Sequence, residues 1–190
     1  MKTRGKILLV LGLAVLALAL AARFLPSAAS RAKGGDFALQ GAHGPLTLAA
    51  LRGQVVLLYF GYTHCPDVCP VSMAAGAQAL NRLSPAERAK VKLLFVSVDP
   101  ERDTPARLQE YTAYFHPDML GATGTPEEIA RMARAYGAGY VKRAPGPDGN
   151  YAVDHSAQTF VIAPDGRLVE EIPFGAKADD IIAVVRRWMK

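Results

Sequence analysis

The sequence predicts an α/β fold, in which helices cover a sheet of buried strands. Residues 55–60 form a continuous apolar run of strand-forming residues, without the alternation typical of a half-exposed strand, and residues 92–98 predict a second buried strand. Thr-Pro pairs at 104–105 and 125–126 each provide a helix cap followed by a proline in the first turn. Strands that alternate with helices in this way are typical of the α/β class.

Local patterns place the other elements around the two buried strands. Residues 37–40 and 46–48 flank a Gly- and Pro-containing turn and predict a small hairpin. Helices are expected at 68–83, 104–115, 125–136 and 178–188, with a further helix start at Pro85. Strands are expected at 119–121, 140–143, 151–153, 159–162 and 168–172, with a Pro- and Gly-rich hairpin tip at 144–150.

The predicted order is strand, helix, strand, helix, then a hairpin and a final helix. This is the order of a thioredoxin-like fold. Two additions are expected: the N-terminal hairpin, and a helix and hairpin region inserted between the second buried strand and the last strand pair.

The N-terminus predicts export from the cytoplasm. Lys2, Arg4 and Lys6 precede 16 apolar or glycine residues at 7–22, a pattern that membrane-insertion machinery recognises. We interpret residues 1–26 as a signal-anchor or a cleaved signal peptide, 27–35 as a linker and 36–190 as the folded domain. The anchor places that domain on the outer, periplasmic or equivalent face, and cleavage would release it there.

The charge balance excludes nucleic acid as a partner. Four of the 22 basic residues, Lys2, Arg4, Lys6 and Arg23, lie in the N-terminal leader, which leaves 18 basic against 17 acidic residues in the rest of the chain. A nearly neutral domain lacks the basic surface that binding to a phosphate backbone requires.

Cys65 and Cys69, the only cysteines, follow the first buried strand at the start of a predicted helix. Their spacing places both sulfurs on one face of a helical turn, and a helix N-terminus favours the thiolate. They could form a structural disulfide, a redox-active pair or two ligands of a metal. A disulfide here would close only a three-residue loop, which weakens the structural interpretation.

His155 is the histidine that the predicted topology brings to the cysteines. It begins a predicted strand that extends to Ile162 and runs antiparallel to the first buried strand, so it should lie beside that strand's end. A buried, hydrogen-bonded structural histidine is the alternative. Two thiolates and one imidazole form a soft site of low coordination, which favours Cu(I) over structural zinc. The carboxylate of Asp99 could hydrogen-bond to a metal ligand without binding the metal itself, or it could cap a helix or form a turn.

The other three histidines are weaker candidates for a ligand role. His43 and His116 lie in predicted turns and should be exposed. His64 adjoins Cys65 and could tune or ligate, although neighbouring residues in a loop usually point apart.

Three segments resemble the Sco/SenC family: FGYTHCPDVCP at 60–70, VSVDPERDTP at 96–105 and VDHS at 153–156. The resemblance extends from about Phe37 to the C-terminus. It implies a thioredoxin fold and one copper ion bound by Cys65, Cys69 and His155. Compared with ordinary thioredoxins, the cysteines have one more residue between them, and Asp154, His155 and Ser156 replace the usual proline.

The resemblance implies a membrane-tethered factor for the binuclear copper centre of cytochrome c oxidase. Its partners would be the copper-bearing oxidase subunit and other copper carriers. Two classes of function remain open: a metallochaperone without turnover, and a thiol–disulfide oxidoreductase in which Cys65 and Cys69 reduce the cysteines of the oxidase copper site.

Overall fold

The computed structural model describes residues 34–189, in which nine strands alternate with five α-helices. The predicted leader at 1–26 lies outside them. The strands are β1 Ala38–Gly41, β2 Gly44–Thr47, β3 Val55–Gly61, β4 Val91–Ser97, β5 Leu120–Thr123, β6 Tyr140–Lys142, β7 Val153–His155, β8 Thr159–Ile162 and β9 Leu168–Ile172. The helices are α1 Val68–Arg82, α2 Pro85–Arg88, α3 Pro105–Phe115, α4 Pro126–Tyr136 and α5 Ala178–Trp188.

Seven strands form one sheet in the order β2-β1-β5-β4-β3-β8-β9. β4 is parallel to both β3 and β5, whereas β8 is antiparallel to β3. The predicted N-terminal hairpin joins this sheet through β1 and β5. The region between β4 and β8 contains α3, β5, α4 and the two-stranded β6–β7 ribbon, so the predicted α/β, thioredoxin-like fold with its two additions is confirmed.

The central strand β3 is apolar throughout because helices cover both faces of the sheet. Val55, Leu57 and Tyr59 of β3 pack on the face that is covered by α1 and α5. Val56, Leu58 and Phe60 point to the opposite face, where α4 packs. Both faces of β3 are therefore excluded from water, as the continuous apolar run predicts.

The prediction that His155 begins the strand that extends to Ile162 is wrong. His155 ends β7 and is paired with Tyr140 of β6, whereas β8 begins only at Thr159. The chain leaves the ribbon at Ser156, whose N–H donates to the carbonyl of Gly139. The histidine is therefore positioned by a ribbon that stands apart from the seven-stranded sheet.

The end of the predicted linker is bound to α4. The N–H of Gly34 donates to the carbonyl of Ala135 at 2.7 Å, and the Tyr136 hydroxyl donates to the carbonyl of Gly35 at 2.8 Å. In residues 34–189, no helix has the length and apolar character needed to cross a bilayer.

Candidate metal centre

The two cysteines lie where the chain passes from β3 into α1. A turn in which the Cys65 N–H donates to the carbonyl of Tyr62 places Cys65 before the helix, and Cys69 is the second residue of α1. The expectation that both share one helical turn is therefore wrong, because α1 begins only at Val68. Both are free thiols; Cys69 is buried and Cys65 is half-buried.

Gly61, the last residue of β3, allows the strand to approach the buried cysteine. A Cβ atom at this position would lie 2.6 Å from Sγ of Cys69 and 2.8 Å from the ring of Phe95. Such distances are too short for any real side chain, so the close packing of Cys69 against the strand end requires glycine here.

The ribbon brings His155 to the cysteines across 86 residues of sequence. Its Nε2 lies 3.3 Å from Sγ of Cys69, and one ligand atom from each of Cys65, Cys69 and His155 lies within 4.8 Å of the other two. Nδ1 lies 2.9 Å from the carbonyl oxygen of Ser156. Because a carbonyl can only accept, Nδ1 must carry a proton, and the neutral ring presents the Nε2 lone pair to the sulfurs.

Two tyrosine rings hold the imidazole in place, and sequence reasoning missed both. Tyr59 meets the ring of His155 edge-on at a centroid distance of 6.0 Å, and Tyr62 does so at 5.8 Å. Such contacts fix the orientation of a side chain in addition to burying it. The signal in the sequence was weak: both rings lie close to the cysteine motif, but nothing local links them to residue 155.

The pKa values of the two thiols are shifted in opposite directions. The hydrogen bond with Cys69 is the largest cause that lowers the pKa of Cys65, to about 4. The same hydrogen bond, together with burial, raises the pKa of Cys69 well above its usual range. The pair therefore holds one proton at neutral pH, with Cys65 as the thiolate.

We expect the thiolate absorbance of the metal-free protein to rise in two separate steps. The first should lie near pH 4, from Cys65, and the second above the ordinary thiol range. Cys69→Ala should move the first step up towards about 8.5, the ordinary thiol value, because it removes the largest cause of the shift. Ultraviolet titration measures both, and joint titration of the two thiols near the ordinary value would contradict this assignment.

A buried carboxyl group holds the loop that precedes Cys65. Asp103, which is fully buried, accepts hydrogen bonds from the backbone N–H and hydroxyl of Thr63 and from the hydroxyl of Ser97. Thr63 is only two residues before Cys65, so this network ties the cysteine loop to the end of β4. Sequence reasoning gave Asp103 no role.

The remaining predicted residues lie away from the cluster. His64 is exposed and turns towards Thr63 and Asp103, and His43 is exposed as expected. The prediction that His116 is exposed is wrong: it directly follows the last residue of α3, is buried, and accepts through Nδ1 from the N–H of Asp118. Asp99 forms the turn after β4 and contacts Arg102 and Tyr151.

The donor set is that of a soft metal site. Within residues 34–189, Cys65, Cys69 and His155 are the only group of three or more metal-ligating side chains with converging ligand atoms. Two sulfurs and one nitrogen suit copper, whereas a structural zinc site normally has four protein ligands. Two neighbouring thiols are also compatible with disulfide chemistry.

By its fold and its site, this thioredoxin-like domain, with two thiols and an imidazole beside the end of a central strand, belongs to a class of metal-binding or redox proteins. The chain belongs to the SCO1/SenC family, whose model matches residues 26–190.

Several relatives are similar over most of this chain. The bovine mitochondrial SCO2 homologue is 42% identical over 158 residues, 82% of this chain and 59% of the relative. SenC of Rhodobacter capsulatus is 45% identical over 132 residues, 64% of this chain and 58% of the relative. The chain thus spans a little over half the length of these curated relatives.

Solved structures show the same architecture. ScoI of Arabidopsis thaliana, determined with copper bound, has a TM-score of 0.75 at 38% identity, covering 82% of this chain and 97% of that one. Apo Sco1 of Thermus thermophilus has a TM-score of 0.75 at 42% identity, covering 82% of this chain and 91% of that one.

Proposed function

We propose that this protein is a copper-binding assembly factor for the binuclear copper centre of cytochrome c oxidase. It binds one copper ion through Cys65, Cys69 and His155 and passes the ion to the copper-bearing oxidase subunit, after receiving it from another copper carrier. The observation that carries the proposal is the convergence of one ligand atom from each residue within 4.8 Å. The copper-bound Arabidopsis relative supports it.

The position of His155 favours copper over thiol–disulfide exchange as the main activity. A dithiol reductant needs only two sulfurs, one of them a nucleophilic thiolate. Here the imidazole is oriented by Ser156 and two tyrosine rings so that Nε2 faces the sulfurs at 3.3 Å. An oriented imidazole next to two sulfurs is what a metal ligand requires.

The test is copper transfer to a defined acceptor. The full chain, loaded with one equivalent of Cu(I), is mixed with the metal-free copper domain of the oxidase, whose cysteines are already reduced. The expected result is copper on the acceptor. His155→Ala, which keeps both thiols, is the control and should bind and deliver little copper.

A second arm tests the reductase alternative. The metal-free protein is mixed with the acceptor in its disulfide form, so that oxidation of Cys65 and Cys69 to a disulfide would balance reduction of the acceptor. Efficient reduction by both the parent and His155→Ala, without copper transfer in the first arm, would replace the proposal by a reductase.

We also propose that residues 1–26 tether the domain to a membrane, on its outer face. Lys2, Arg4 and Lys6 before an apolar stretch support this orientation. A tether raises the effective concentration of the copper site near a membrane-embedded oxidase. The intact mass of the mature chain is the test, since loss of the first 21 or 29 residues would mean a released protein.

A further inference from the structure

One aromatic ring connects the ribbon that carries His155 with the rest of the domain, in addition to the packing of Val153 in the core. The ring of Tyr151 lies between two cations: the guanidinium carbon of Arg102 is 3.6 Å from its centroid, and Nζ of Lys142 is 4.0 Å away. Arg102 comes from the loop between β4 and α3, whereas Lys142 belongs to β6. The ring therefore joins the ribbon to the body of the domain.

Hydrogen bonds and ion pairs reinforce this contact. The Tyr151 hydroxyl donates to Asp99 at 2.7 Å, and Nη1 of Arg102 donates to the Tyr151 carbonyl at 3.0 Å. Asp99 also pairs with Arg102, and Lys142 pairs with Glu101 at 2.6 Å. We call these five residues the ribbon clamp: Asp99, Glu101, Arg102, Lys142 and Tyr151.

The ribbon needs such a clamp because it is small. β6 and β7 are paired over three residues each and form a separate two-stranded sheet. An isolated two-stranded ribbon is only marginally stable in water, so contacts with the rest of the domain must hold it. Arg102 also lies 5.6 Å from the ring of Tyr62, which packs against His155, and so connects the clamp with the imidazole.

We propose that Tyr151 is a positioning residue for His155: through the ribbon clamp it holds the imidazole against the two cysteines and sets the rate at which bound copper is released. The inference rests on the proposed function in taking copper as the ion bound. An imidazole that is already in place loses little freedom on binding, whereas one on a loose ribbon would have to be ordered again.

The experiment uses the full chain and four variants. Tyr151→Leu removes the ring and the hydroxyl, and Tyr151→Phe removes only the hydroxyl that donates to Asp99. Lys142→Ala removes one of the two cations from a half-exposed position, so a folding failure is not expected. Tyr114→Leu is the matched control, because Tyr114 is 85% exposed on α3 and lies outside the clamp.

The first readout needs no metal. Amide hydrogen exchange at Arg143 and Ser156, which donate to Ala152 and Gly139, reports how often the ribbon opens. We expect faster exchange in Tyr151→Leu and Lys142→Ala than in the parent and Tyr114→Leu, with Tyr151→Phe between them. Unchanged exchange in both Tyr151→Leu and Lys142→Ala would overturn the inference even if the protein did not bind copper.

The second readout uses Cu(II) in place of Cu(I), because the unpaired electron of Cu(II) gives a nitrogen hyperfine signal from a bound imidazole. We measure this signal and the rate at which Cu(II) is released to a chelator. Tyr151→Leu should release Cu(II) about tenfold faster and weaken the nitrogen signal, consistent with the loss of two cation–π contacts and a hydrogen bond. In a His155→Ala background, Tyr151→Leu should change nothing further. An equal effect in both backgrounds would overturn the positioning role, and failure of the parent to bind copper would instead overturn the proposed function.

Discussion

Replacing His155 with alanine is expected to lower the affinity for Cu(I) by more than about 100-fold. Loss of a residue that only supports a metal ligand lowers the affinity by up to about 100-fold, and loss of the ligand itself should cost more. The imidazole is one of three converging donors, and its Nε2 lies 3.3 Å from Cys69. Cys65→Ala and Cys69→Ala should have effects at least as large, because each removes a thiolate from the same soft site. Competition with a chromophoric Cu(I) chelator measures all three.

His64→Ala is the matched control for this series. His64 is next to Cys65 in sequence, but it is exposed and its ring faces Thr63 and Asp103. It should bind copper as tightly as the parent. A His155→Ala protein that binds copper as tightly as His64→Ala would disprove the three-ligand site.

The second large effect is expected at Asp103. Asp103→Ala should lower the free energy of unfolding by about 3–5 kcal/mol, the usual cost of removing one partner from a buried charged network. Its carboxyl group is fully buried and accepts from Thr63 twice and from Ser97, whose hydroxyl is also buried. Chemical denaturation of the metal-free protein gives the value.

Asp36→Ala serves as the comparison for Asp103→Ala. Asp36 pairs only with Arg52 in the described contacts, and its side chain is 77% exposed. Such surface substitutions change stability by no more than about 0.5 kcal/mol. Equal stabilities of the two variants would show that the Asp103 network does not hold the cysteine loop.

The elements that the sequence predicted well are those with local signals. The apolar runs of β3 and β4 and the Thr-Pro starts of α3 and α4 depend on residues that are adjacent or one helical turn apart. The cysteine pair was recognisable for the same reason. His155 was linked to it through the family resemblance and through the expected antiparallel pairing of its strand with the first buried strand, and the strand assigned to it was wrong.

The parts that sequence reasoning missed depend on contacts between distant residues. Thr63 meets Asp103 across 40 positions, and Tyr151 meets Asp99 across 52. The sequence around an aspartate that follows a strand, such as Asp99, is the same whether its carboxyl group only caps a turn or also accepts a hydrogen bond from a distant loop. Likewise, no spacing rule predicts that two tyrosines near residue 60 will pack against the ring of residue 155.

The separation of 86 positions between Cys69 and His155 makes a bound ion a cross-link of the fold as well as a cargo. Closing a loop constrains the unfolded chain more as the loop grows, from about 3 kcal/mol for 15 residues to about 4.7 kcal/mol for 100 in the chain-entropy description of disulfides. A Cys65–Cys69 disulfide would close only three residues, whereas copper would join the start of α1 to the ribbon beyond α4. In the proposed function, delivery of the ion would therefore also remove a long-range cross-link, and the metal-free protein would have a weaker restraint on its own unfolding.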